Sequence, residues 1–142
     1  MKRLLLCAIL LPFAGKDGPG STPLSSTSLV EIRSGEWPMS LERTIENRDT
    51  SYSLLFRDEQ VVKGVAMDTL QFPDLEQLRY LGKALSALKT GTNGDIAKFK
   101  NYSVQRADKK YEGTWYILRD KWGLTSFQQP EADIMTHAIK GL

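Results

Sequence analysis

The sequence predicts an α+β fold in which an antiparallel sheet of about six strands carries two helices on one face. Two stretches have the apolar spacing of amphipathic helices, and each begins beside a proline, Pro73 or Pro130. Short segments rich in β-branched and aromatic residues precede each of these stretches, as is typical of strands. The predicted order of elements is therefore βββα-βββα, and we treat the second half as a candidate pseudo-repeat of the first.

Three strands are expected in the first half. Apolar and polar residues alternate over 39–46, which indicates a half-buried strand. Residues 52–57 and 61–72 are predicted to form the next two strands, with a turn at 58–60 between them.

The first helix is predicted to begin at Pro73 and to end near Gly91. Gly82 lies inside it at a cost of about 1 kcal/mol relative to alanine, and close approach to the sheet is the expected reason. The apolar stripe of this helix consists of Leu75, Leu78, Leu81, Leu85 and Leu88.

The second half repeats this order, with strands expected at 97–106, 114–119 and 124–128 before the helix that Pro130 opens. Residues 55–58 (Leu-Phe-Arg-Asp) correspond to residues 117–120 (Ile-Leu-Arg-Asp), 62 positions later. The alternative to a pseudo-repeat is an ordinary six-stranded α+β domain without internal duplication.

The first 36 residues predict a leader and a linker. In residues 1–15, Lys2 and Arg3 precede an apolar run over 4–11, which is the order of a secretory signal peptide. This run is shorter than the ~20 residues of a membrane-spanning helix, so no stable span is expected after leader removal. Residues 16–36, rich in Gly, Pro, Ser and Thr, are predicted to be a flexible tether, leaving 37–142 as a single α+β domain. We expect export to the periplasm or the extracellular space; retention of the leader would instead indicate the cytoplasm.

The net charge of +2 belongs to this leader. Lys2 and Arg3 are two of the 19 basic residues, and the remaining 17 are balanced by 17 acidic residues. A neutral domain has no bulk attraction for nucleic acid or an anionic membrane, so such binding would need a local patch.

Most catalytic and metal sites are excluded by the residue inventory. His137 is the one histidine, expected at the surface, and Cys7 is the one cysteine, so the chain has no multi-histidine or multi-cysteine metal site. No P-loop, nucleophile elbow or dinucleotide fingerprint is present, and we expect no cofactor, metal or catalytic residue.

Carboxylate pairs leave a small carboxylate-dependent hydrolase as the weakest alternative. The acids in question fall at turns and strand ends, where carboxylates usually serve turn geometry. They are Asp58, Glu59, Asp68 and Asp120.

The richest stretch for binding is 98–122, which has seven basic residues against three acidic ones, with aromatic residues among them. Positive charge holds phosphates and flat rings stack on unpaired bases, so such a sheet suits single-stranded nucleic acid. Aromatic residues are also ordinary in sheets, and lysines keep hairpin tips soluble. Because Trp115 and Tyr116 point to opposite faces of one strand, at least one of them must enter the core. The candidate ligand surface comprises Lys98, Lys100, Arg106, Lys109, Lys110, Trp115, Tyr116, Arg119, Lys121 and Trp122.

In its arrangement, the doubled sheet-then-helix unit over residues 39–142 resembles the Pur-alpha-type single-strand-binding repeats. The repeat of that family has four strands before its helix, whereas three are predicted here. The resemblance implies single-stranded nucleic acid as the ligand.

The preferred hypothesis is an exported, non-enzymatic binding or structural module. Its binding surface would be the open side of the sheet, and its partner a protein, a peptide or a glycan. The alternative is a single-stranded nucleic-acid-binding protein that uses the basic and aromatic surface defined above.

Overall fold

The computed structural model describes residues 24–34 and 37–142, which form two four-stranded antiparallel sheets and two helices. The first sheet comprises β1 (Ser25–Ser34), β2 (Trp37–Glu46), β3 (Asp49–Arg57) and β4 (Met67–Phe72), followed by α1 (Leu75–Lys89). The second comprises β5 (Ile96–Lys98), β6 (Tyr102–Lys109), β7 (Gly113–Asp120) and β8 (Leu124–Gln128), followed by α2 (Gln129–Lys140). Strands pair in chain order within each sheet. The α+β class is confirmed, but the order is ββββα-ββββα.

The prediction of one six-stranded sheet is wrong partly because β1 was assigned to the tether. Residues 25–34 pair with β2 along their length, from Ser25 opposite Ile45 to Ser34 opposite Trp37. The serines and threonine that open β1 give it the composition of a linker, but backbone pairing and the burial of Ile32 hold it in the sheet. The predicted signal peptide and residues 16–23 and 35–36 of the predicted tether lie outside the described residues.

The other missed strand comes from a turn inside the predicted strand 97–106. The chain reverses between β5 and β6, where the Phe99 amide donates to the Tyr102 carbonyl at 2.8 Å. Apolar and polar residues alternate on both sides of this turn, so 97–106 was predicted as one strand, although the consecutive polar residues Lys100 and Asn101 interrupt the alternation at the reversal. The predicted strand 61–72 is also shorter than expected, since β4 begins only at Met67 after a loop in which Gly64 has φ +89°.

The core is one hydrophobic cluster shared by both sheets and both helices. Helix α1 packs on β3 and β4 as well as on β5 and β6, and α2 packs on β1 as well as on β7 and β8. Each helix therefore contacts both sheets, and each sheet turns its other face outward. No helix in the described part of the chain is long and apolar enough to cross a membrane.

The two helices are antiparallel and in direct contact. A Cβ atom on Gly82 would lie 3.2 Å from Cγ2 of Ile139, so the missing side chain lets α1 approach α2. The prediction that Gly82 allows a close approach to the sheet was therefore wrong, since Gly82 allows a close approach to α2. At the other end of the pair, Lys89 forms a salt bridge with Asp133 at 2.9 Å.

Residues 55–58 and 117–120 occupy equivalent places, at the ends of the third strand of each sheet. Oδ1 of Asp58 accepts the Gln60 amide at 3.0 Å, and Oδ1 of Asp120 accepts the amides of Trp122 and Gly123 at 2.7 Å each. The turn-shaping role predicted for both aspartates is confirmed.

Candidate functional site

The outward face of the second sheet carries a groove of about 410 Å³. We call this surface the open face. It exists because side chains alternate along β7, where Tyr116 and Leu118 are fully buried while Trp115 and Ile117 point outward. The groove is lined by Glu59, Ile96, Ser103, Gln105, Ala107, Lys109, Trp115, Ile117, Arg119, Leu124 and Ser126.

One end of the open face has two cations in the same cross-strand row. Lys98 pairs with Ser103, Ser103 pairs with Arg119, and Arg119 pairs with Leu124. Neighbouring strands are about 4.8 Å apart, so Lys98 and Arg119 stand about 10 Å from each other across β6. Both side chains are exposed.

The opposite end of the open face combines an indole with a cation. Lys109 Nζ lies 4.0 Å from the centroid of the Trp115 ring, within the range of a cation–π interaction. The same ammonium contacts Glu112 at 3.2 Å on the hairpin. Trp115 and Arg119 are four positions apart on β7, which corresponds to about 13 Å of strand.

Between these ends runs a row of apolar and uncharged polar side chains. Ile96 pairs with Gln105, Gln105 with Ile117, and Ile117 with Ser126. Beside Ser126 stands Glu59, which comes from the first half of the chain and whose carboxylate accepts the Ser126 amide at 2.7 Å. The groove is thus apolar in the middle, cationic at both ends and acidic along one wall.

Two residues of the predicted surface point inward. Tyr116 is completely buried, where its hydroxyl donates to Oε1 of Gln129, and burial raises its pKa. Arg106 Nη1 donates to the carbonyls of Leu88 and Lys89 at 2.9 and 2.7 Å. These two carbonyls belong to the last turn of α1, so Arg106 satisfies the end of a helix. Assigning Tyr116 and Arg106 to a ligand surface was therefore wrong.

Asp108 holds the other side of the Arg106 guanidinium. Its carboxylate accepts from Arg106 Nε at 3.0 Å and from the Thr114 hydroxyl at 2.9 Å. These hydrogen bonds, with that of Arg106 the largest, hold the pKa of Asp108 below its usual value. The group is structural, since it orients the guanidinium toward the helix.

The remaining predicted residues are exposed in turns at the margins of the sheet. Lys100 lies in the turn after β5, and Lys110 follows β6 next to the exposed Tyr111. Lys121 Nζ lies 4.5 Å from the ring of Trp122, which is 72% exposed in the turn before β8. The structure thus brings Lys98, Lys109, Trp115 and Arg119 together on one face and leaves Lys100, Lys110, Lys121 and Trp122 around it.

The outward face of the first sheet differs in chemistry. Ser28 and Ser40 are hydrogen bonded at 3.3 Å, and Ser26 donates to Glu42 at 3.3 Å. Glu31 stands in the same row as Ser40. By strand alternation Arg33 and Arg57 also stand on this face, so cations alone do not distinguish the two sheets. The open face of the second sheet is the stronger candidate because it adds an outward indole, Trp115, beside its cations.

The predicted acids meet where the two halves join, at Gly123. A Cβ there would lie 2.6 Å from Oδ2 of Asp68 and 3.2 Å from Cγ of Asp58. Asp58 also accepts the Leu124 amide at 3.1 Å, and Asp120 holds its own turn. No group of three or more potential metal-ligating residues occurs in the described ranges. The backbone amides that Asp58, Glu59 and Asp120 accept give these three carboxylates a structural role, whereas Oδ2 of Asp68 is buried without a hydrogen-bond partner.

Sequence reasoning missed several residues that line the groove. Gln105 and Ser126 follow from strand alternation once the strand bounds are known, because they share a face with Ser103 and Leu124 respectively. Glu59 had no such signal, because it reaches Ser126 from 67 positions away. His137 is exposed on α2, as expected.

Comparisons with models of known protein families, with curated proteins and with solved structures find no match to this chain. The choice of ligand class therefore depends on the chemistry of the open face.

Proposed function

We propose that this protein is a non-enzymatic binding module whose open face binds single-stranded nucleic acid. The observation that carries this proposal is the placement of Lys98, Arg119, Lys109 and Trp115 on one outward sheet face. Cations at both ends of the groove suit phosphates, and an indole suits the face of an unpaired base. The alternating register that buries Tyr116 leaves Trp115 for this role.

The middle of the groove supports a single strand rather than a duplex. Ile96, Ile117 and Leu124 offer apolar contact to bases, while Gln105 and Ser126 offer hydrogen-bonding groups at its sides. Bases are accessible to such a surface only when they are unpaired. A duplex would present its phosphates and leave the apolar row without a partner.

The arrangement of elements also supports this proposal. With β1 and β5 included, four strands precede each helix, which is the number in a Pur-alpha-type repeat. The resemblance is limited to the order of elements along the chain. No solved structure matches this chain.

The second candidate function is an exported module that binds a peptide, a glycan or a partner protein on the same face. The signal-like order of residues 1–15 favours it, as does the apolar row of the groove. Amino-terminal sequencing of the native protein separates the two. A mature chain starting near Lys16 supports export, whereas an intact Met1 supports the nucleic-acid proposal.

The proposal is tested by fluorescence anisotropy with a labelled mixed-sequence single strand at ~50 mM salt. We expect Trp115→Ala to weaken binding about tenfold or more, since a stacked base contributes ~1–3 kcal/mol. Lys63→Ala is the matched control, because Lys63 is exposed in the loop before β4 and does not line the groove. The absence of binding by the wild-type protein, or equal losses in both variants, would contradict the proposal.

A further inference from the structure

We propose that the groove between α1 and α2 is a second binding site, which takes an acidic amphipathic helix of a partner protein. The groove has a volume of about 470 Å³ and opens on the exposed side of the helix pair. It is lined by Arg79, Gly82, Lys83, Ser86, Ile139 and Lys140.

The floor of this groove is apolar because Gly82 has no side chain. Ile139 is 2% exposed and lies against Gly82, so the two helices approach closely and leave a trough above their contact. The aliphatic stems of Arg79, Lys83 and Lys140 extend the apolar surface up both walls, while their charged ends remain in water. An apolar side chain seated over Gly82 would gain contact on both sides.

The rim of the groove carries only positive charge. Arg79 and Lys83 stand on α1 and Lys140 on α2, and the lining includes no acidic residue. Within the described residues no salt bridge joins these three to a carboxylate, whereas Lys89 on the same helix is paired with Asp133. Lys140 complements the negative end of the α2 dipole, but Arg79 and Lys83 lie too far from the α1 terminus for that explanation.

A helix is the occupant that fits this shape. Two antiparallel helices in contact present a trough that a third helix fills at an interaxial distance of about 8–10 Å. Such a helix places apolar residues over Gly82 and acidic residues, three or four positions away, against the cations.

Segments of this chain fit the groove less well. Residues 1–15 bring Lys2 and Arg3 and no acid, so their charge opposes that of the rim. A second copy of α1 would bring Arg79, Lys83 and Lys89 against the same cations. Charge complementarity therefore indicates a partner with acidic residues on one helical face.

The probe is a synthetic helix of about 18 residues, or five turns, with a leucine stripe flanked by glutamates. Its control replaces every glutamate with lysine. Anisotropy with the full chain should show binding of the acidic peptide and binding at least tenfold weaker for the basic one. Equal binding of the two peptides would overturn the proposal.

Variants locate the site on the helix pair. The double change Arg79→Gln with Lys83→Gln should lower the affinity for the acidic peptide at least tenfold without shifting the unfolding midpoint, because both side chains are exposed in the interior of α1. Lys63→Glu, which alters charge elsewhere, should leave the affinity unchanged. A loss of the same size in Lys63→Glu would overturn the proposal.

A competition experiment separates this groove from the open face. If a single-stranded oligonucleotide competes for the same groove, it displaces the acidic peptide, and the double variant has a lower affinity for the oligonucleotide. The groove would then belong to the nucleic-acid surface, and the peptide proposal would fail. If the peptide binds undisturbed by the oligonucleotide, the groove is a separate site. That result leaves the open-face proposal to its own test.

Discussion

The carboxylate of Glu59 accepts the backbone amide of Ser126 at 2.7 Å and the Ser126 hydroxyl at 2.8 and 2.9 Å. Glu59 follows β3 in the first half, and Ser126 lies on β8, the last strand of the second sheet. The contact therefore joins the halves at the edge of the sheet that carries the open face.

Two further carboxylates complete this edge. The Leu124 amide donates to Asp58 at 3.1 Å, and the Gln128 amide donates to Glu131 at 2.9 Å. Alternate amides of β8 are thus each taken by a carboxylate. An uncovered edge strand is a template for pairing with other chains, so these acids also oppose edge-to-edge association.

Glu59→Ala should lower the free energy of unfolding by about 1–2 kcal/mol, because it leaves the Ser126 amide without its charged acceptor. Urea unfolding measures the change. Glu112→Ala is the control, since it removes only the exposed contact with Lys109 and should cost less than about 0.5 kcal/mol. Equal losses in the two variants would mean that the contact of the Glu59 carboxylate with Ser126 of β8 has no special role in stability.

Removing the Arg106 side chain should affect the stability of the fold, whereas removing the Arg119 side chain should affect oligonucleotide binding. Arg106→Ala should destabilise the fold by about 2 kcal/mol, because it removes the guanidinium from the carbonyls of Leu88 and Lys89 and from the carboxylate of Asp108. Arg119→Ala should leave the unfolding midpoint unchanged and weaken oligonucleotide binding, because Arg119 is exposed on the open face. Thermal unfolding and anisotropy of both variants test this, and the reverse pattern would contradict the assignment.

Asp68 should make stability depend on pH. Burial raises its pKa above 3.8, and the charges of Asp120 and Asp58 add to this, while the hydrogen bond from the Thr69 amide opposes it. The folded state therefore holds the proton more strongly than the unfolded state. The free energy of unfolding consequently falls as the pH rises from 3.8 through the raised pKa.

Asp68→Asn removes this penalty and keeps an acceptor for the Thr69 amide. The variant should be more stable than the wild type at pH 7, with the difference shrinking as the pH approaches 3.8. Chemical unfolding at a series of pH values measures it, with the exposed Glu46→Gln as control. A stabilisation that stays constant with pH would count against a titrating carboxyl.

Gly82 should tolerate no large side chain. Gly82→Leu is expected to cost about 2 kcal/mol or more, because the new side chain meets Ile139 and forces the helices apart. In the Ile139→Ala background the same change should cost less, since the vacated space receives the leucine. A double-mutant cycle in urea measures the coupling, and strict additivity would contradict the close helix contact.

The sequence was informative where one face is buried. Alternation along β7 separated Trp115 from Tyr116, and the leucine stripe with its preceding proline located α1. The same alternation places Arg106 on the face of the buried Val104, so an inward Arg106 was within reach of sequence reasoning. Its partners at the end of α1 were not, because they depend on how the helix docks.

The missed features depend on long-range pairing. The serine-rich start of β1 has the composition of a linker, and only its register with β2 makes it a strand. Glu59 appeared to be an ordinary turn residue, and its role arises when the two halves meet at β8. Such contacts join residues far apart in the chain, which local periodicity does not report.

The salt dependence of oligonucleotide binding tests the central claim most directly. If Lys98, Lys109 and Arg119 each neutralise one phosphate, the logarithm of the association constant should fall with the logarithm of salt concentration at a slope of about −2. Arg119→Ala should reduce the magnitude of that slope by about 0.7, the share of one phosphate contact on a single strand. A wild-type affinity that does not change with salt, or a slope that Arg119→Ala leaves unchanged, would contradict binding on the open face.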